Sequence, residues 1–177
     1  MSKLILISAT LLACAALSVA WSPQSPPAQT SVSIGGKAIT IKYFAPSLRG
    51  RKMFGADGQI SKDPTWPVWR AGADNATALH TDADLAINGL NVPKGDYTLY
   101  VLVNPSMPWT LIVNKQIGQW GTEYDAKQDV GRIPMTVTKP SAPIETFKIT
   151  LSAAGANKGK LQMEWENVIA SVPFTVK

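Results

Sequence analysis

Phe147-Lys148-Ile149-Thr150-Leu151 runs apolar, polar, apolar, polar, apolar, and Leu161-Gln162-Met163-Glu164-Trp165 repeats the pattern. Val172-Pro173-Phe174-Thr175-Val176 repeats it again. Successive side chains of a strand point to opposite faces, so each run is a strand with one buried and one wet face. The same period of two runs through Ile133, Met135 and Val137, and earlier through Ile39, Ile41 and Tyr43. Tyr97 to Val103 is apolar on both faces and reads as a central strand. Trp109 to Lys115 pairs with it across the turn Asn104-Pro105-Ser106-Met107-Pro108. Gly35-Gly36 and Asn88-Gly89 are tight hairpin turns. Pro134 and Pro173 lack an N–H for a ladder, which places their strands at sheet edges or bulges. No segment has helical periodicity and none repeats. The chain is therefore all-β, an antiparallel β-sandwich or jelly-roll-like barrel of about nine strands with little or no helix.

Composition sets the outer bounds. The 177 residues carry a formal net charge of +5, with 45% hydrophobic and 16% charged residues. That length suits one domain. The balance excludes a highly charged disordered protein and a multi-pass membrane protein. A single Cys excludes a disulfide framework and a Cys-rich zinc module, and a single His argues against the common transition-metal sites. No metal and no cofactor is expected.

The N-terminus adds a destination. Lys3 precedes the uncharged, largely apolar run Leu4 to Ala20, which ends in the small-x-small site Ser18-Val19-Ala20. Residues 1–20 read as a secretory signal peptide cut after Ala20. Leu11-Leu12-Ala13-Cys14 loosely resembles a lipobox, which opens a second reading with Cys14 lipidated. The apolar run continues through Leu17, which favours cleavage at Ala20. The expected location is periplasmic or secreted, with membrane contact only through a lipidated Cys14. Residues 21–30 form a Pro-rich linker and 31–177 a single β-sandwich domain. Mild basicity on an exported chain gives no reason to expect a nucleic-acid partner.

Two connections exceed the ~12–15 residues beyond which irregular loops are uncommon and often functional. They are Phe44 to Val68 and Gln116 to Gly131. Their Gly and aromatic content argues for ordered loops folded onto the sandwich ends. The densest polar constellation is Trp69-Arg70-Ala71-Gly72-Ala73-Asp74-Asn75-Ala76-Thr77. Arg51 and Arg70 suit a fork for a carboxylate, phosphate or sulfated group. Trp69, Trp120 and Tyr124 suit stacking on a sugar ring, and Asp74 and Asn75 suit its hydroxyls. The competing reading is structural: Arg70 pairs with Asp74, and Asp74 or Thr77 satisfies a turn. Trp66, Trp109 and Trp165 are core or loop-capping rings by default.

Other candidates read as surface. His80 is a satisfied strand histidine before it is a general base, since no Ser, Cys or second His lies nearby and no Gly-x-Ser-x-Gly elbow exists. Asp82 and Asp84 lack the Gly and late Glu of a calcium loop. Glu164 and Glu166 read as the wet face of a strand rather than a glycosidase pair.

Several motifs together resemble a family of exported bacterial domains of unknown function, DUF2911. They are Ile41-Lys42-Tyr43 with Pro46, Arg49-Gly50-Arg51, Phe54-Gly55, Val68-Trp69-Arg70-Ala71-Gly72-Ala73, Ala76-Thr77 and Asp84-Leu85. Further matches are Val92-Pro93-Lys94-Gly95-Asp96-Tyr97, Trp109-Thr110, Asn114-Lys115, Trp120-Gly121 and Asp129. The similarity runs roughly from Ser31 to Val176. Two positions depart from it: Phe44-Ala45 stands where the family tends to Ser-Arg, and Asp74-Asn75 where it tends to Asn-Glu. The resemblance implies an exported β-rich domain, implies no activity, and strengthens the group Arg51, Trp69, Arg70 and Asp74.

The expected function is a non-catalytic binding or interaction domain for a polar or anionic small molecule or an envelope glycan. The alternatives are a hydrolase with Asp74, Asp125 or His80 as general base, and a structural envelope protein with a protein partner.

Overall fold

The fold is taken from a computed structural model, which describes residues 25–103 and 108–177. The signal segment, Cys14, the first part of the linker and most of the Asn104–Pro108 turn lie outside the described residues.

Two antiparallel sheets pack as a sandwich. The chain enters the first with β1 (Pro27–Ile34) and β2 (Lys37–Phe44), then β3 (Val68–Trp69) and β4 (Thr77–Thr81). It crosses to the second with β5 (Leu85–Ile87) and β6 (Leu90–Val92), and returns with β7 (Gly95–Leu102), β8 (Thr110–Asn114) and β9 (Asp129–Pro134). It finishes in the second with β10 (Thr136–Thr138), β11 (Ile144–Ala153), β12 (Lys158–Glu166) and β13 (Val168–Val176). The larger sheet has the order β1-β2-β4-β7-β8-β9, with β3 also on β7. The smaller has the order β11-β12-β13-β5-β6, with β10 also on β13. Among the described residues, helix is confined to two single 3-10 turns, Ile60–Lys62 and Ala126–Gln128.

The period-two residues form the core. Ile39, Ile41, Leu79, Leu99, Leu111 and Val113 from one sheet meet Phe147, Ile149, Leu161, Met163, Val172 and Phe174 from the other, all buried. Each such side chain contributes about 1.5–3 kcal/mol when taken from water. Both hairpin turns form as expected. Gly35 and Gly36 have φ +58° and +74° between the paired Ile34 and Lys37, and Asn88 and Gly89 have φ +44° and +93° between Ile87 and Leu90. Left-handed φ at both positions matches the twist of the flanking strands. Tyr43 and Thr30 hydroxyls accept the Ile149 and Leu151 N–H groups, tying edge strand β11 to the other sheet.

Several expectations need correction. Thirteen strands are named among the described residues, not about nine, because β3, β5 and β6 are too short to show periodicity. The run Ile133-Met135-Val137 is not one strand. It leaves the larger sheet at Pro134 and joins the smaller at Thr136, with Met135 N–H bonded to the Trp109 carbonyl between them. Strand β1 already begins at Pro27, inside the span 21–30 expected to be a linker. Pro134 lies on edge strand β9 as expected, but Pro173 lies inside the smaller sheet. It tolerates that place because β10 pairs only with Ile169–Ser171 and β5 only with Phe174–Val176. The Pro173 carbonyl faces this gap and accepts the Asn88 N–H. Its ring nitrogen faces the same way, so no ladder bond is lost.

Candidate functional site

β3 and β4 are two halves of one strand position. Trp69 pairs with Val101 and Thr77 with Leu99, on the same side of β7. Residues 70–76 loop out between them. This excursion is the hub that joins the two long loops.

The loop of residues 45–67 closes one end of the sandwich. Both carboxylate oxygens of Glu166 accept its amides, from Met53 at 3.4 Å and Phe54 at 3.1 Å. A carboxylate oxygen of Glu145 accepts the Arg49 N–H at 2.8 Å. Phe54 then enters an aromatic cluster with Trp69, Trp109 and Trp165, at centroid distances of 5.5, 4.7 and 5.9 Å. Glu166 is thus a loop anchor and not the wet-face residue its alternation suggests.

The loop of residues 116–128 does not sit at a sandwich end. It lies over the outer face of the larger sheet, where Tyr124 packs edge-on to Tyr100 at 4.9 Å over a small apolar cluster of Val68, Tyr100 and Ile112. Tyr124 Oη donates to Asp129 at 2.8 Å and accepts from Arg132 at 2.9 Å. Burial first, then the neighbouring Asp129 carboxylate, push the Tyr124 phenol up to about 12. Its hydroxyl is structural. Asp125 accepts the Lys127 N–H at the start of a 3-10 turn, so that carboxylate also has a local task.

The excursion touches both loops. Arg70 Nη2 donates to Asp63 Oδ2 at 3.0 Å, with the two side chains 14% and 25% exposed. The Gly121 N–H donates to the Asp74 carbonyl, Ala76 N–H to Gln119, and Asn75 bridges Trp120. Between the excursion and the 45–67 loop lies a cleft of about 400 Å³. Arg51, Lys62, Asp63, Arg70 and Asp74 line it, over a floor that includes Trp69 and Trp165.

The sequence-predicted residues divide. Arg51, Trp69, Arg70 and Asp74 do converge on this cleft. Arg51 spends two N–H groups on the carbonyls of Leu48 at 3.0 Å and Ser47 at 2.8 Å, yet stays exposed. Trp69 is 2% exposed, stacks on Trp165 at 5.8 Å, and donates from its ring nitrogen to Gly72. No face of it is free for a sugar, so it is a core ring supporting the cleft. Arg70 pairs with Asp63 and not with Asp74. Asp74 Oδ2 is buried and has no hydrogen-bond partner among the described residues. Asn75 and Trp120 lie outside the cleft on the outer face, and Tyr124 is half-buried beside them.

His80 is on a different surface. Its Nδ1 lies 2.7 Å from Asp96 and its Nε2 3.1 Å from Asp82. Hydrogen bonds to Asp96 and then Asp82 raise its pKa, which favours the imidazolium. Sequence reasoning missed Asp63. Nothing in the spacing marks it, because it meets Arg70 only after the chain turns back through the Trp66-Pro67 segment.

Backbone strain gathers at the same end. Ala71 and Asp74 have φ +51° and +56°, and Arg49 and Glu166 have +48° and +50°. Left-handed conformations at residues with a Cβ cost energy and collect at functional sites.

Among the described residues, no group of three or more His, Cys, Asp or Glu side chains is placed to hold a metal ion. Among them, too, no helix is long and apolar enough to cross a membrane. No curated protein and no solved structure matches the chain. A family model does match, over residues 25–174, and it includes every residue that lines the cleft. With so much of the chain matched, on the Trp69-Arg70-Ala71-Gly72-Ala73 excursion as on the strands, the protein belongs to the family of proteins of unknown function DUF2911.

Proposed function

We propose that this chain is an exported, non-catalytic binding domain whose cleft holds a small polar, anionic ligand. The observation that carries this reading is the strained excursion itself. Ala71 and Asp74 take left-handed conformations on either side of Gly72, and one buried oxygen of the Asp74 carboxylate has no partner among the described residues. These are local costs that folding alone does not require. The Arg70 guanidinium, held by Asp63, lies at the same cleft with Arg51 and Lys62. Guanidinium groups bind carboxylates and phosphates bidentately. Two of the three groups proposed for a general base favour binding over catalysis: His80 is on another surface and held toward its charged form, and Asp125 is engaged in a turn. The third, Asp74, lines the cleft itself.

The Met1 to Ala20 pattern supports export. N-terminal sequencing of the processed protein is expected to begin at Trp21, whereas a lipid-modified Cys14 at the N-terminus would replace secretion by anchoring.

Calorimetric titration of the processed protein at low salt with inorganic phosphate, sulfate and uronic acids tests the ligand. Binding that weakens with salt and is lost in Arg70→Ala is expected. Silence of the wild-type protein toward every anion would remove the reading.

A further inference from the structure

We propose a second binding site, on the outer face of the larger sheet: a groove that takes an extended, acidic oligosaccharide. It is independent of the cleft.

The 116–128 loop covers only part of this face. Over β1, β2 and β4 the face is open, and two hollows of about 470 and 350 Å³ lie there side by side. Both are lined by Lys42 and Ala78, so they form one groove. It crosses from Ala28 on β1, over Lys42 and Ala78, to Asp96 on β7. Neighbouring strands are ~4.8 Å apart, so this path is about 14 Å wide. That is room for an extended ligand rather than a single small one.

The chemistry of the lining selects its class. The floor is shallow because Ala78 and Ala76 are small, and Pro27, Ala28 and Ile117 give it apolar borders. Between them stand Gln29, Asn75 and Thr40, two amides and a hydroxyl that both donate and accept, while Asp96 at the β7 end is already paired at 2.7 Å with His80, which lines the same hollow. Trp120 bridges Asn75 at the rim, is 45% exposed, and has no ring partner among the described residues. Ile117 is 65% exposed. Flat apolar patches flanked by paired donors and acceptors fit sugar rings, which have apolar faces and hydroxyl edges. An extended peptide instead uses a sheet edge, where backbone groups are free, and this is a sheet face. Lys42 lies at the centre of the groove and forms no ion pair among the described residues, which favours an acidic sugar.

The test uses oligouronate and neutral cello-oligosaccharide hexamers with the processed protein. Affinity is read by calorimetry and Trp120 by fluorescence. The expected result is a salt-sensitive interaction with the oligouronate that shifts the tryptophan emission. Ala78→Phe, on an exposed position that fills the groove, is expected to weaken it at least tenfold, as is Lys42→Glu. Trp120→Ala is expected to remove the emission shift. Binding that survives Ala78→Phe but is lost in Arg70→Ala would move the glycan to the cleft and overturn the proposal. So would no response to either hexamer, or selective binding of extended peptides instead.

Discussion

At Gly121 an added Cβ would lie 2.2 Å from Arg70 Cδ and 2.6 Å from the Asp74 carbonyl oxygen. The second neighbour is backbone and cannot swing away. Gly121→Ala is therefore expected to destabilise the fold by about 1–3 kcal/mol, as overpacking does. A thermal melt showing no change would mean that the excursion is free to shift. Arg70→Ala removes one partner of a partly buried pair. The loss expected is about 2–3 kcal/mol, below the ~3–5 of a fully buried pair, because both groups retain some water. Asp63→Asn is expected to cost less and to strengthen anion binding, since it releases the guanidinium from its internal carboxylate. Titration of phosphate into both variants checks the pair of predictions. The sequence announced Arg70 but not its partner. Arginine at a Gly-rich turn is visible as a local pattern, whereas Asp63 meets it only through the tertiary path of the loop.

At the scale of elements, alternation revealed β2, β11, β12 and β13, because one face of each is wet and the other buried. It misled at Glu166. That residue ends β12 with φ +50°, and its carboxylate turns aside to hold Met53 and Phe54. Glu166→Ala is expected to release the 45–67 loop, seen as faster amide exchange over residues 51–60 with β12 itself unchanged. His80 links elements differently. It lies opposite Asp96 on β7, while Asp82 accepts the Ala38 N–H. Its folded pKa is raised above the ordinary histidine value of 6.5, so its contribution is complete below that value and fades as pH rises through the folded pKa. The Asp82 pKa is lowered from 3.8, chiefly by His80, so its contribution is present above 3.8 and lost as pH falls through the folded value. The link is therefore strongest between about pH 4 and 6.5, and exposure keeps it small. The wild-type melting temperature is expected to decline slightly above pH 6.5, and that of His80→Gln is not.

For the whole molecule, fold class followed from period-two patterning, because a two-layer sandwich needs one apolar face per strand. Which surface faces a ligand did not follow. The 116–128 loop has the same glycine and aromatic content whether it caps an end or covers a sheet, and only the Tyr124 contact with Tyr100 decides. Among the described residues, every buried core residue lies at Ile34 or beyond.

The excursion at residues 70–76 leaves and rejoins the sheet at neighbouring places on β7, through the rungs Trp69–Val101 and Thr77–Leu99. Its two ends are clasped like the neck of a purse. The entropy of closing this loop is therefore borne in part by the ladder. Doubling the length of such a loop costs only about 0.6 kcal/mol more. The sandwich is thus a frame with one fixed opening, where added length is tolerated but the first residues are not free to vary, since Ala71 is buried in the core and a Cβ on Gly72 would meet the Phe44 carbonyl.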